Sequence, residues 1–177
     1  MNVVFLDIDG VLQPYNSKER FLHINPKIID QLSEEYGVDY DSYNIYDVCA
    51  AYYDWNRNAL SLLKNILNET EAKIIMSTAW RDEKKPYKMR DLLKLHDLDK
   101  YWYCDNIIKH GLIFQPKRRV LEIEDSLDKY PIDNFAILDD MSKIKDYFPN
   151  NTVETTNYLT EEDANKCIKI LKKNYLD

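Results

Sequence analysis

Short continuous apolar runs alternate with amphipathic stretches along this chain. The runs at residues 3–6, 72–76 and 135–138 are too short for helices and suit parallel strands buried on both faces. Between and after them, apolar residues recur at helical spacing. One stripe is Ile28, Ile29, Leu32 and Tyr36, starting at Asn25-Pro26 and stopping at Gly37. A second is Ala59, Leu62, Leu63, Ile66 and Leu67, and a third is Met89, Leu92 and Leu93 with His96 at the core edge. A fourth helix opens at Lys117 with Val120, Leu121, Ile123 and Leu127 as its face, and the chain breaks at Tyr130-Pro131. The last has a capping box, Thr160 with Asp163, ahead of Ala164, Cys167, Ile168 and Leu171. Residues 152–154 read as an edge strand, and residues 106–114 as a strand or strand pair around Gly111. Strands alternating with helices predict an α/β fold. The expected architecture is a Rossmann-like, three-layer parallel sheet with helices on both faces, any site lying at the strands' carboxyl ends.

Residues 14–55 interrupt this rhythm. Past Gly37, Tyr40, Tyr43, Tyr46, Tyr52, Tyr53 and Trp55 are interleaved with Asp39, Asp41, Asp47 and Asp54, with no clean period. The segment reads as a small insertion after the first strand, a cap or partial lid within one domain spanning 1–177. Packing against the core is the expected use of its rings. A nucleic-acid stacking platform would need basic residues between them, and here they are acidic.

Composition narrows the partners. A net charge of −7 argues against a large non-specific nucleic-acid surface. Three glycines, Gly10, Gly37 and Gly111, leave no room for a phosphate-cradling loop of the P-loop or dinucleotide kind. Cys49, Cys104 and Cys167 have no zinc-like spacing and are expected to be free thiols of a reducing, cytoplasmic protein. No apolar run approaches the roughly 18 residues of a membrane span, and the N-terminus lacks the basic residues of a signal peptide.

The chemistry gathers at the ends of the apolar runs. The first ends in Asp7-Ile8-Asp9-Gly10, two carboxylates on one side of an extended chain followed by a residue free to turn sharply. Acids there are costly to desolvate unless a cation or strong donors meet them. The second run ends in Ser77 and Thr78, the third in Asp139 and Asp140, and Lys117 opens a helix between. Together these describe a phosphate site. Asp7 would be a carboxylate nucleophile and Asp9 the general acid and base. Ser77, helped by Thr78, would donate to a phosphoryl oxygen, and Lys117 would neutralise its charge. Asp140, with Asp7 and the backbone carbonyl of Asp9, would hold a hard cation, for which magnesium fits.

The segments 7–11, 74–77 and 137–140, with Lys117, resemble in order the four motifs of the haloacid dehalogenase (HAD) superfamily. Residues 69–81 look like the second-motif region of small bacterial HAD-domain proteins related to the HAD modules of RNA-repair proteins. The resemblance is strongest over 1–13 and 56–140 and thin in the insertion. It implies a Rossmann-like core, Mg2+, and phosphohydrolase chemistry through an aspartyl-phosphate on Asp7. An aspartate at the second acidic position, Asp9, points to phosphatases rather than dehalogenases. Lys117 is followed by Arg118 and Arg119, so the identity of the third-motif cation stays open, with Lys117 favoured and Arg118 an alternative phosphate contact. Asp140 takes the metal with Asp139 in support. Arg81 either clamps phosphate or pairs with Asp82 or Glu83, and Trp80 is assigned to packing. A small-molecule phosphomonoester is the expected substrate. The alternatives are a nucleic-acid end, disfavoured by the net charge, and a phosphate- or protein-binding module that has lost turnover.

Overall fold

The computed structural model describes residues 1–81, 89–105 and 115–173. Five parallel strands form one sheet: β1 (Asn2–Leu6), β2 (Lys73–Met76), β3 (Trp102–Asp105), β4 (Asn134–Asp139) and β5 (Thr152–Glu154). Their spatial order is β3-β2-β1-β4-β5, so β1 lies at the centre, in register with β2 (Leu6 opposite Met76) and with β4 (Leu6 opposite Leu138). The chain winds outward from β1 in one direction and then returns to wind outward in the other. The carboxyl ends of β1, β2 and β4 therefore share one edge, where the order reverses.

Strand alternation divides the core in two. Val4 and Leu6 of β1, Ile74 and Met76 of β2, and Ala136 and Leu138 of β4 face the larger cluster. Helix α4 (Arg57–Thr70) adds Leu63, Ile66 and Leu67 to that side, and α7 (Glu161–Leu171) adds Ala164, Cys167 and Leu171. Val3, Phe5, Ile75 and Ile137 face the opposite way, onto Ile123 of α6 (Lys117–Lys129). The residues just past these strand ends inherit the same parity.

Caps set the helix ends where the sequence signals them. Gly37 closes α2 (Pro26–Tyr36) at φ 63°, and Asn56 accepts from the Ala59 amide at the start of α4. Both arms of the Thr160 and Asp163 capping box are made. Two differences from the sequence reading stand out. Strand β3 was not predicted, since its half-buried edge position removes the need for an apolar run. His96 lies beyond the end of α5 (Met89–Lys94), not within the helix, and is buried there. The strand pair expected at 106–114 lies outside the described residues.

The 14–55 segment forms α1 (Arg20–His23), α2 and α3 (Ile45–Cys49), the last continuing into a wide π-type turn over Ala50–Asp54. Ile28, Ile29, Leu32, Tyr40, Val48 and Trp55 join the larger core cluster directly. The Tyr40 hydroxyl donates to the Asp91 carbonyl at 2.7 Å, and Tyr43 donates to the Asp91 carboxylate. Most of these rings pack on the core, while Tyr46 is exposed.

Candidate active site

The parity of the strands builds the site. Asp7 and Ser77 extend β1 and β2 by one residue each, with the Ser77 amide donating to the Leu6 carbonyl at 2.8 Å and the Asp7 amide to the Leu138 carbonyl at 3.0 Å. They continue the rows of Phe5 and Ile75, and Asp139 continues that of Ile137. All three therefore belong to the α6 side of the sheet. There α6 supplies a buried guanidinium. Arg119 Nη1 lies 2.5 Å from Asp139 Oδ2 and 3.1 Å from Asp7 Oδ2, with the Arg119 side chain 2% exposed. Asp7 Oδ1 accepts from the Ile8 amide at 2.8 Å, and Asp139 Oδ1 from the Met141 amide at 2.9 Å. Burial lifts the Asp139 carboxyl well above the usual carboxylate range, against the pull of Arg119.

The three consecutive cations of α6 separate by helix geometry. Lys117 and Arg119 are two residues apart, roughly 200° around the axis at 3.6 residues per turn. Lys117 is accordingly exposed, while Arg119 reaches Asp7 and Asp139. Arg118 is half-exposed and pairs through Nε with Glu122 Oε1 at 3.1 Å. The other oxygen of the buried Glu122 takes Nη2 of Arg81. The Arg81 side chain, 6% exposed, is thus tied to α6. Asp82 and Glu83, its alternative partners, lie outside the described residues.

Ser77 is buried and, among the described residues, its hydroxyl has no hydrogen-bond partner, beside Asp7 on the same edge. Such a group costs about 1–3 kcal/mol unless something meets it. Thr78, also buried, spends its hydroxyl within the turn, accepting from the Trp80 amide at 3.3 Å.

Asp9 has neutral partners at both carboxylate oxygens. Its Oδ1 accepts from Gln13 Nε2 at 3.1 Å and its Oδ2 from the Trp80 indole N–H at 2.9 Å. Burial raises its pKa, the Trp80 bond lowers it, and the charges of Asp7 and Asp140 raise it further. The turn carrying it is held by the Ile8 carbonyl, which accepts from the amides of Val11, Leu12 and Gln13.

Ligand oxygens of Asp7, Asp139 and Asp140 lie within 4.8 Å of one another. Asp140 Oδ2 receives the hydroxyl of Tyr15. Burial and the neighbouring carboxylates push the Tyr15 phenol up to about 12. Gly10 makes room for this contact. At φ +72°, a Cβ there would sit 2.6 Å from the Tyr15 hydroxyl and 2.7 Å from Asp140 Cβ. Sequence reasoning missed Tyr15, Gln13 and the Asp9 contact of Trp80. Tyr15 carries no motif signal, and assigning Trp80, in the Ser-Thr-Ala-Trp-Arg run, to packing leaves its N–H out of account.

This is an α/β protein of the HAD type, with an acidic site at the switch point of a Rossmann-like parallel sheet. Residues 3–164 match the family described as HAD domain in Swiss Army Knife RNA repair proteins, and the chain belongs to that family. No match was found among curated proteins or among solved structures. Membership supports HAD-type phosphohydrolase chemistry in general. Among the described residues, no helix is long and apolar enough to cross a membrane. The three cysteines are free thiols.

Proposed function

We propose that the protein is a Mg2+-dependent phosphohydrolase that cleaves a phosphomonoester through an aspartyl-phosphate on Asp7, with Asp9 as general acid and base. The observation that carries this reading is the grouping at one sheet edge of a carboxylate, a buried guanidinium and a hydroxyl without a partner among the described residues: Asp7, Arg119 and Ser77. An Asp7 carboxylate oxygen attacks phosphorus as the bond to the leaving oxygen breaks, and Asp9 delivers a proton to that oxygen. Asp9 then takes a proton from water as the water oxygen bonds to phosphorus, freeing phosphate and the Asp7 carboxylate. Ser77 donates to a phosphoryl oxygen. Arg119, rather than Lys117 or Arg118, is the cation of α6 that pairs with the nucleophile, and it takes the charge-neutralising role. The pKa-raising burial of Asp9 suits a group that must hold a proton at one step and accept one at the next.

The donor set fits a hard cation. Asp7, Asp139 and Asp140 offer carboxylate oxygens close together, and two of the three are buried. Asp7 and Asp140 would hold Mg2+ with Asp139 behind them. The ion would supply positive charge that offsets repulsion between the attacking carboxylate and the phosphoryl oxygens.

The 14–55 segment would act as the cap that selects the substrate. A small phosphomonoester fits the net charge of −7 and the ion pairing of Arg81, Arg118 and Arg119. A second reading, a phosphate at a nucleic-acid end, is supported by the family's description as a domain of RNA repair proteins. The free thiols and acidic surface agree with a cytoplasmic setting.

The test is phosphate release from a panel of sugar, nucleotide and RNA-terminal phosphomonoesters, with Mg2+ or with EDTA. Mg2+-dependent release from at least one member, lost in Asp7→Asn, is expected. Binding of a phosphate compound with no release from any member would return the protein to the class of binding modules.

A further inference from the structure

Asp140 differs from its two neighbours in how its charge is met. Asp7 and Asp139 share Arg119, whereas the group donating to the Asp140 side chain among the described residues is the Tyr15 hydroxyl. That contact is braced from both sides. The Tyr15 amide donates to Asn157 Oδ1 at 3.1 Å, on the loop after β5. The same loop sends the Thr155 hydroxyl to the Gly10 carbonyl at 2.7 Å and the Leu159 amide to the Val11 carbonyl at 2.8 Å. The Thr155 amide also donates to the Asp139 carbonyl at 3.1 Å, so one loop ties the turn after β1 to the end of β4. Only a residue without a Cβ at position 10 allows Tyr15 and Asp140 to meet there.

We propose that Tyr15 is a positioning residue for Asp140, holding its carboxylate in the orientation that receives the cation, with Asn157 anchoring Tyr15 in turn. The inference rests on the Mg2+ reading above. A half-buried carboxylate next to two others is pushed by like charge towards solvent, and a hydrogen bond to one oxygen fixes the side chain while leaving the other oxygen free. A neutral phenol does this without adding a positive charge that would compete with the metal. A lysine or arginine at the same place would satisfy Asp140 and exclude the ion. Outer-shell donors of this kind typically matter 10- to 100-fold in metal affinity.

The experiment is calorimetric titration of Mg2+ into the full chain without substrate, for the parent, Tyr15→Phe, Asn157→Ala and Asp140→Asn. Tyr15→Phe keeps the ring of a residue that is 57% exposed, so the metal-free melting temperature should not change. The expected result is Mg2+ binding weakened about 10- to 100-fold in Tyr15→Phe, weakened in the same direction in Asn157→Ala, and abolished in Asp140→Asn. Turnover of Tyr15→Phe at saturating Mg2+ should recover, which a structural defect would not allow. Equal Mg2+ affinity in parent and Tyr15→Phe overturns the role of Tyr15 and leaves the Mg2+ reading standing. No Mg2+ binding by the parent overturns that reading, and this inference with it.

Discussion

At position 119, a single guanidinium balances two buried carboxylates, one of them the proposed nucleophile. Removing it leaves both uncompensated, so Arg119→Ala should lose about 3–5 kcal/mol of stability in urea denaturation, and turnover with it. Arg119→Lys, a point charge without the planar fork, should regain only part of each. Lys117→Ala, at an exposed site, should change stability by no more than about 0.5 kcal/mol and leave turnover near the parental rate. The reverse pattern would return the phosphate-neutralising role to Lys117. Trp80 offers a second test. Trp80→Phe removes the N–H that orients Asp9, and a hydrogen bond to a charged group is worth about 1.5–3 kcal/mol. A kcat reduced on the order of 10- to 100-fold, with the fold retained by circular dichroism, is the expected outcome. The acidic residues of this site were legible in the sequence because strand ends are legible. The choice among residues 117 to 119 was not, because it depends on where α6 begins and how it is rotated against the sheet.

Among the elements, the parallel strands with apolar runs and the helices with stripes and caps could be read directly. β3 could not, because half-buried edge residues such as Trp102 and Cys104 carry no apolar run. Nor could the wide turn over Ala50–Asp54, whose effect is felt at His96. His96 Nε2 donates to the Ala51 carbonyl at 2.7 Å, and Nδ1 accepts from Arg57 at 3.3 Å, so the neutral ring is satisfied at both nitrogens. Its ring packs on Trp55, and Trp55 packs on Trp80, linking this turn to the Asp9 contact. Burial lowers the His96 pKa from 6.5 to about 4. The folded chain then binds fewer protons than the unfolded chain between those values. Stability is therefore complete above pH 6.5 and falls as pH drops towards 4, by a maximum on the order of 3 kcal/mol. Denaturation midpoints across that window should slope less in His96→Gln than in the parent. Equal slopes would mean that His96 is not held neutral.

For the molecule as a whole, the parallel sheet with β1 at its centre accounts for why the proposed catalytic set can come from residues as distant in sequence as 7, 77, 119 and 140. The 14–55 segment stands out in the sequence by its loss of periodicity. How it would be used was not legible, because its aromatic rings divide between the core and the surface, and that division depends on tertiary contacts. In the proposed reaction, phosphate passes through Asp7. The most direct measurement of that passage is acid quenching of Asp9→Asn during reaction with a substrate identified from the phosphomonoester panel, followed by peptide mass spectrometry. A phosphoryl group is expected on Asp7, trapped because the base that activates water is missing, and none in Asp7→Asn. Phosphate release by Asp7→Asn at the parental rate, or a phosphoryl group on another residue, would contradict it.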